Sequence, residues 1–283
     1  MNKRVTSFRR VVWAYWKKHG RHELPWRKTR DPYKILVSEM MLQQTQVPRV
    51  LEKYKEFLEE FPTVYVLSHA SLRDVLKVWS GLGYNRRGKF LHDAAKMITI
   101  KHRGSVKDAT TGRKIPGIGP YTRAAVRVFA FDEPHTLLET NVRAAFIHHF
   151  ASGKSGSVLR SLGEAGLISD KQLLPLMEEA AEEQDPRDWH WALMDYGAHV
   201  KKKHQNPARR SSTYAKQSKF EGSPRQLRGA VLRELNASAK TESDIYLKTS
   251  GTNYVRKSQL KTVLASLKRD GLIRFHAGKW RIA

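Results

Sequence analysis

Apolar residues recur at three- and four-residue spacing along most of the chain, and that period predicts helices. Residues 6–19 form the first, with Trp13, Tyr15 and Trp16 set among basic positions. Ile35 to Val47, ILVSEMMLQQTQV, keeps the helical period, and Pro48 opens the next helix, with Val50, Leu51, Tyr54, Phe57 and Leu58 at apolar positions. FPTVYVLSHASLRDVLKVWSGLGY follows, with Ser68 or Ser71 suited to cap a helix and a turn at Gly81–Tyr84. Asn85-Arg86-Arg87-Gly88-Lys89 opens the helix that continues as FLHDAAKMITIKH. Residues 144–200 read as helical, with breaks near Ser152–Ser157 and at Asp185-Pro186. There is no strand pattern before residue 270 and no internal repeat, so the main body is predicted to be all-α.

Lys201 to Ser223 is polar, basic and poor in apolar residues, either a linker or a docked DNA-binding loop. Beyond it, Pro224–Leu235, Glu242–Leu247 and Ser258–Arg269 predict three short helices. Ile273–Phe275 and Lys279–Ile282 alternate around His276-Ala277-Gly278, a hairpin signal. This order suggests a winged helix-turn-helix over 222–283, whose third helix offers Lys261, Lys268 and Arg269 to a DNA groove; such modules also bind proteins.

Charge sharpens the picture. The 283 residues carry a formal net charge of +25, and the pI is near 10.3. Because the basic residues are spread among many apolar ones, the chain is not a basic tail, and a folded protein this basic meets a polyanion, most often nucleic acid. No apolar run is long enough to span a membrane, and the basic N-terminus lacks the apolar stretch of a signal peptide. Zero cysteines exclude disulfides and thiolate-ligated zinc or iron–sulfur sites, and fit a reducing, cytoplasmic setting.

Two features carry candidate chemistry. Ile115-Pro116-Gly117-Ile118-Gly119 is a tight turn before a helix beginning near Tyr121; both glycines are free to take φ > 0, and bare amides at a helix start suit one phosphate. Glu139 follows some twenty residues later, just before a helix start at Thr140-Asn141-Val142. A second acid, Glu39, lies in the 35–47 helix. Packed beside Leu36, Met40 and Leu42 it would hold a proton near neutrality; beside Ser38 and Gln43 it would be a solvated surface acid, and spacing alone leaves both open.

LPWRKTRDPYKILVSEMMLQQTQV (24–47), VWSGLGYNRRGKFLHDAAK (78–96), IPGIGPYT (115–122) and ALMDYGAHV (192–200) together resemble adenine DNA glycosylases of the helix-hairpin-helix superfamily, in order, from about residue 8 to 200. The resemblance implies a fold of two helical subdomains, 25–133 and 1–24 plus 134–221, with the active site between them. It implies a monofunctional glycosylase: Glu39 as the acid that protonates the departing base, Glu139 as the carboxylate that stabilises the sugar cation, and Tyr121 and Asn141 beside them. Tyr121 stands where bifunctional relatives carry a Schiff-base lysine. For DNA contact it implies Gln43, Gln44 and Thr45 as a wedge, Arg27 at the base pocket, and Gly117 and Gly119 on a phosphate; Tyr84 with Arg86 and Arg87 at the glycine turn suits phosphate contact, the alternative for the basic pair being a solvated charge run. The implied partner is duplex DNA with a mismatched or damaged base, met by a monomer at the nucleoid. No cofactor and no iron–sulfur cluster is expected, with room left for a monovalent cation at the hairpin.

Three departures qualify this. The family has Asp where this chain has Glu139. Its four-cysteine cluster loop is replaced by Lys201, Lys202, Lys203, Arg209 and Arg210, expected to contact phosphates directly. Its 8-oxoguanine-reading domain is replaced by the winged-helix candidate, and Asn85 stands where many members have a second aromatic. The expected substrate is adenine opposite 8-oxoguanine or guanine; the alternatives are thymine or uracil opposite guanine, and a non-catalytic binder of distorted DNA.

Overall fold

In the computed structural model, residues 2–112, 115–151, 167–217, 219–249 and 257–283 are described. They form an all-α body followed by a small ribbon, arranged as two compact units, each built from two separate stretches of chain.

One unit comprises residues 1–30 and 123–216. Its helices are α1 (Lys3–His19), α9 (Thr140–Ala151), α10 (Asp170–Ala181) and α11 (Pro186–Lys203). Val5, Phe8 and Val12 of α1 recur on one face and pack with Phe146 and Phe150 of α9, Met177 of α10 and Trp189 of α11. Phe8 lies 4.7 Å from the Phe146 ring and 5.4 Å from Phe150, within the range where aromatic pairs attract. Arg9, on the same buried face, donates to the carbonyls of Glu179, Ala180 and Glu182 and so satisfies the orphan acceptors at the end of α10. The predicted break at Asp185-Pro186 is real: Asp185 caps α11 through the Asp188 amide and Pro186 takes its first position. The break near Ser152–Ser157 lies outside the described residues.

The other unit comprises residues 31–122 and 217–283. It contains α2 (Pro32–Leu42), α3 (Val47–Glu60), α4 (Val64–His69), α5 (Leu72–Trp79), α6 (Arg86–His102) and α7 (Val106–Thr111); α8 (Pro120–Phe131) begins in it. α12 (Pro224–Ala237), α13 (Glu242–Thr249), α14 (Lys257–Arg269), β1 (Ile273–His276) and β2 (Lys279–Ile282) complete it. Val231, Leu235, Leu264, Leu267 and Ile282 share one apolar core with Leu76 of α5, so the C-terminal helices continue the packing of this unit. The strands pair antiparallel with Ile273 opposite Ile282, closed by Ala277 and Gly278, both at positive φ, as a two-residue turn requires.

Local chemistry corrects two expectations. The helix read as 35–47 ends at Leu42, and residues 43–46 form a turn. Ser71 caps α5, but Ser68 sits inside α4, bonded back to the Tyr65 carbonyl, and Thr63 caps that helix.

Candidate active site

The α2 helix is buried nearly all round, from Tyr33 to Met41 with Lys34 the exception. Glu39, 9% exposed, is therefore buried with its helix neighbours and not on a solvated face. The solvated alternative for this acid is excluded, because α2 has no such face to offer.

Why α2 stops at Leu42 is answered by a residue 45 positions further on. Arg87, itself buried, donates through Nη1 to the carbonyls of Met40 (2.8 Å), Met41 (2.9 Å) and Gln43, the groups a helix end leaves open. Its Nη2 donates to Thr45 Oγ1 at 2.9 Å and to the Gly83 carbonyl at 3.2 Å. One guanidinium thus pins the 43–46 turn to the Gly81–Tyr84 turn. Burial pulls its pKa down to about 10, still well above neutrality, so it remains charged. Gln44 takes φ 55, a left-handed conformation that costs about 1 kcal/mol or more in a non-glycine residue and is held by this clamp. Gln43 donates to Thr122 Oγ1 at 3.3 Å.

Tyr84 also has positive φ, 47. Its ring lies 5.4 Å from the Arg87 guanidinium and 5.6 Å from that of Arg225, and its hydroxyl accepts from Arg225 (2.7 Å) and Gln217 (2.6 Å). Gln217 reaches Gln44 as well, at 3.1 Å. Arg86 is exposed and stacks over Phe90.

At the hairpin only Gly117 takes positive φ, 76; a Cβ there would stand 2.4 Å from Phe90 Cβ, so no other residue fits. Gly119 has no positive φ, and a Cβ there would meet nothing within 4 Å, so the expectation of φ > 0 at both glycines holds at one. Tyr121 follows in the first turn of α8.

Glu139 caps α9 with its side chain. Oε1 accepts from the amides of Asn141 (2.8 Å) and Val142 (2.9 Å), and Oε2 from Asn141 Nδ2 at 3.1 Å. Lys201 Nζ donates to Asn141 Oδ1 at 3.1 Å, completing a chain of polar contacts from α11 to the carboxylate. Burial raises the Glu139 pKa, while the two amides, Lys201 and Arg143 oppose the rise. Gly197 makes this possible, because a Cβ there would sit 2.0 Å from the Asn141 carbonyl oxygen. Lys202 and Lys203 are exposed at the end of α11, where cations suit the helix dipole; Arg209 and Arg210 are exposed in the 3-10 turn Pro207–Arg210. Arg210 donates to the Ala151 carbonyl.

Arg27 is buried and bound bidentately to Asp195, at 2.7 and 2.8 Å, with Arg21 on the same carboxylate. Burial raises the Asp195 pKa, but the two arginines outweigh it and hold the group ionised below the usual range. Sequence reasoning did not single out Asp195, Gln217 or Arg225. Asp195 left a signal, a carboxylate between Trp191 and Tyr196 in a helix of apolar period; the other two lie too far along the chain from their partners to leave one.

The fold and these local arrangements are those of a helical base-excision scaffold: Glu39, the 43–45 turn, Tyr84, Arg87 and the hairpin in one unit, Glu139, Asn141, Lys201 and Arg27 in the other. The chain belongs to the HhH-GPD superfamily of base excision DNA repair proteins, whose family pattern matches residues 37–164. It is 32% identical over 283 residues to the adenine DNA glycosylase of Mycobacterium tuberculosis, an alignment covering 91% of this chain and 88% of that one. The rat adenine DNA glycosylase is 33% identical over 206 residues, which span 69% of this chain and 38% of the rat protein. Among solved structures, a thermostable thymine-DNA glycosylase matches with a TM-score of 0.58 and 26% identity over 70% of this chain and 87% of that one. An endonuclease III trapped on DNA shares the fold, with a TM-score of 0.52 and 17% identity over 80% of this chain and 94% of that one. The protein is a DNA N-glycosylase of a base excision DNA repair family. Among the described residues no helix is long and apolar enough to cross a membrane.

Proposed function

We propose that the protein removes a mispaired adenine, opposite 8-oxoguanine or guanine, by hydrolysing its N-glycosidic bond. The observation that carries this is a buried acid at Glu39 in a chain aligned over nearly its whole length with an adenine DNA glycosylase. Glu39 gives its proton to the departing base as the glycosidic electron pair moves onto it, and the resulting carboxylate takes a proton from the water that adds to the sugar. Glu139 faces the sugar cation as a carboxylate whose position is fixed by the amides of α9, with Asn141 and Tyr121 helping to place it. Gln43, Gln44 and Thr45 enter the duplex where the base leaves the stack, on a turn that Arg87 stiffens from behind. Arg87 and Arg27 act by positioning, since both guanidiniums are buried and bonded within the protein. Gly117 and Gly119 meet a phosphate; the open space at Gly119 gives the backbone room for close approach.

No cluster is assigned. Residues 201–210 offer lysine and arginine and no thiolate, so the donor set does not fit iron–sulfur ligation. Lys202, Lys203 and Arg209 meet DNA phosphates in its place. The C-terminal helices and ribbon form a winged-helix module, and the protein acts as a monomer on chromosomal DNA.

The test is release of adenine from duplexes with A opposite 8-oxoguanine or G, by the wild type and by Glu39→Gln. Equal rates would remove the catalytic assignment and leave a binder of distorted DNA. A second reading is favoured by Glu139 in place of Asp and by the likeness to a thymine-DNA glycosylase: excision of thymine or uracil opposite guanine. Turnover of that duplex and none of the adenine duplexes would select it.

A further inference from the structure

Beside the 43–46 turn lies a cavity of about 520 Å³, lined by α5, α6 and α12, and by far the greater part of its charge is positive. Arg49, Arg86, Arg87, Arg225, Arg228 and Arg233 line it, against a single carboxylate, Asp270. That carboxylate is already neutralised, by Arg228 at 2.6 Å and Arg86 at 3.7 Å. The side chains of Arg49 and Arg233 are exposed and make no hydrogen bond or ion pair among the described residues. The buried Nε–H of Arg87 is also without a partner there. Tyr84 and Phe90 line the same wall, with the Arg225 guanidinium 5.6 Å and the Arg86 guanidinium 4.8 Å from their respective ring centres. Concentrated cationic charge in a concave wall focuses an attractive potential for anions, and guanidinium edges match phosphate oxygens in pairs.

The surface expected to carry DNA contacts in a winged-helix module looks different. Leu260, Val263, Leu264 and Leu267 of α14 are spent on the module's own core. The exposed Lys261 and Lys268 stand on a convex helix outside the cavity. On the α12 side, by contrast, Arg225 bonds the Tyr84 hydroxyl, and Gln217, ahead of α12, bonds both Tyr84 and Gln44. Gln43 and Gln44 of the wedge turn line the same cavity as Arg225, Arg228 and Arg233 of α12.

We infer that the C-terminal module grips a DNA phosphodiester backbone through α12, with Arg233 and the neighbouring Arg49 as direct phosphate contacts. The inference rests on the reading of residues 43–45 as the element that enters the duplex. It assigns the module to holding the duplex at the wedge and takes the binding role away from α14.

The experiment is equilibrium binding of the full chain to a duplex carrying one abasic-site analogue, titrated over a range of salt. For Arg49→Gln/Arg233→Gln we expect the slope of log affinity against log salt to fall by about two, with affinity down about tenfold or more at moderate salt. Lys261→Gln/Lys268→Gln should keep the wild-type slope. An unchanged slope in the arginine variant, or an equal loss in the lysine variant, overturns the proposal. Single methylphosphonates, placed along either strand, then locate the contact. The phosphate whose neutralisation weakens the wild type but not the arginine variant identifies the strand; no such phosphate on either strand also overturns the proposal. Adenine release is measured separately. Loss of catalysis in every duplex with the slope pattern intact sinks the proposed function and leaves the cavity assignment standing.

Discussion

Glu39 and Glu139 are the same side chain in opposite settings. Glu39 lies buried in the body of α2, where the backbone amides are used up by the helix itself. Glu139 lies just ahead of α9 and takes two amides that the helix leaves open. Only the second setting supplies open amide donors; there they, with Lys201 and Arg143, oppose the rise in pKa that burial imposes on Glu139. Where along a helix a carboxyl stands therefore decides which backbone donors are free to hold its charge.

If that contrast governs the chemistry, exchanging Glu39 for Gln should have the largest effect. Excision in single turnover should fall about a thousandfold or more, with affinity for a lesion duplex kept, because the proton is lost and the shape is not. Glu139→Gln should cost about a hundredfold by removing the negative charge while leaving an oxygen for the amides. A retained rate in this variant breaks the comparison.

Acid probes the Glu139 side through its supports. His190 is buried with its pKa held near 4 by desolvation; Nδ1 donates to the Pro186 carbonyl and Nε2 accepts the Leu137 amide, two residues before Glu139. Its folded pKa lies below the ordinary 6.5, so the unfolded chain binds more protons. Stability is full above pH 6.5 and drops as pH falls toward 4, by about 3 kcal/mol for this one group. His149, also held near 4 by burial and by His148 and His204, acts in the same sense. The raised Glu139 pKa acts oppositely, reducing stability as pH rises past the ordinary carboxylate range. Denaturant unfolding at pH 7 and pH 5 should show the histidine trend, and His190→Gln should flatten it. The smallest change is expected from Glu139→Asp: Asp caps as well as Glu, and a shift of roughly an ångström should alter the rate within about tenfold.

Helix existence was legible from apolar period, and so was the hairpin at Ala277-Gly278, because both signals are local. The end of α2 was not, since it is set by Arg87 reaching back 45 residues. Glu39 illustrates the limit well: its motif pointed to chemistry, while its spacing could not say whether α2 had a polar face. Gly117 needed its freedom for an internal reason and Gly119 did not, a difference that only the position of Phe90 reveals. Tyr84, with Arg225 and Gln217 on its hydroxyl, depends on pairings more than 130 residues apart.

Because each unit is stitched from two distant stretches, the segment that carries the family pattern, 37–164, is not a body that could be cut out and studied alone. Such a fragment would lack α1, α10 and α11, leaving Phe146 and Phe150 facing water, and would lose the C-terminal cover over Leu76. Expressed by itself it should aggregate, and adding back residues 1–30 and 167–216 as separate pieces is the natural complementation assay. The same threading means that neither core can close during synthesis until its late partner emerges, so the order in which the ribosome releases the chain sets when this molecule first becomes competent.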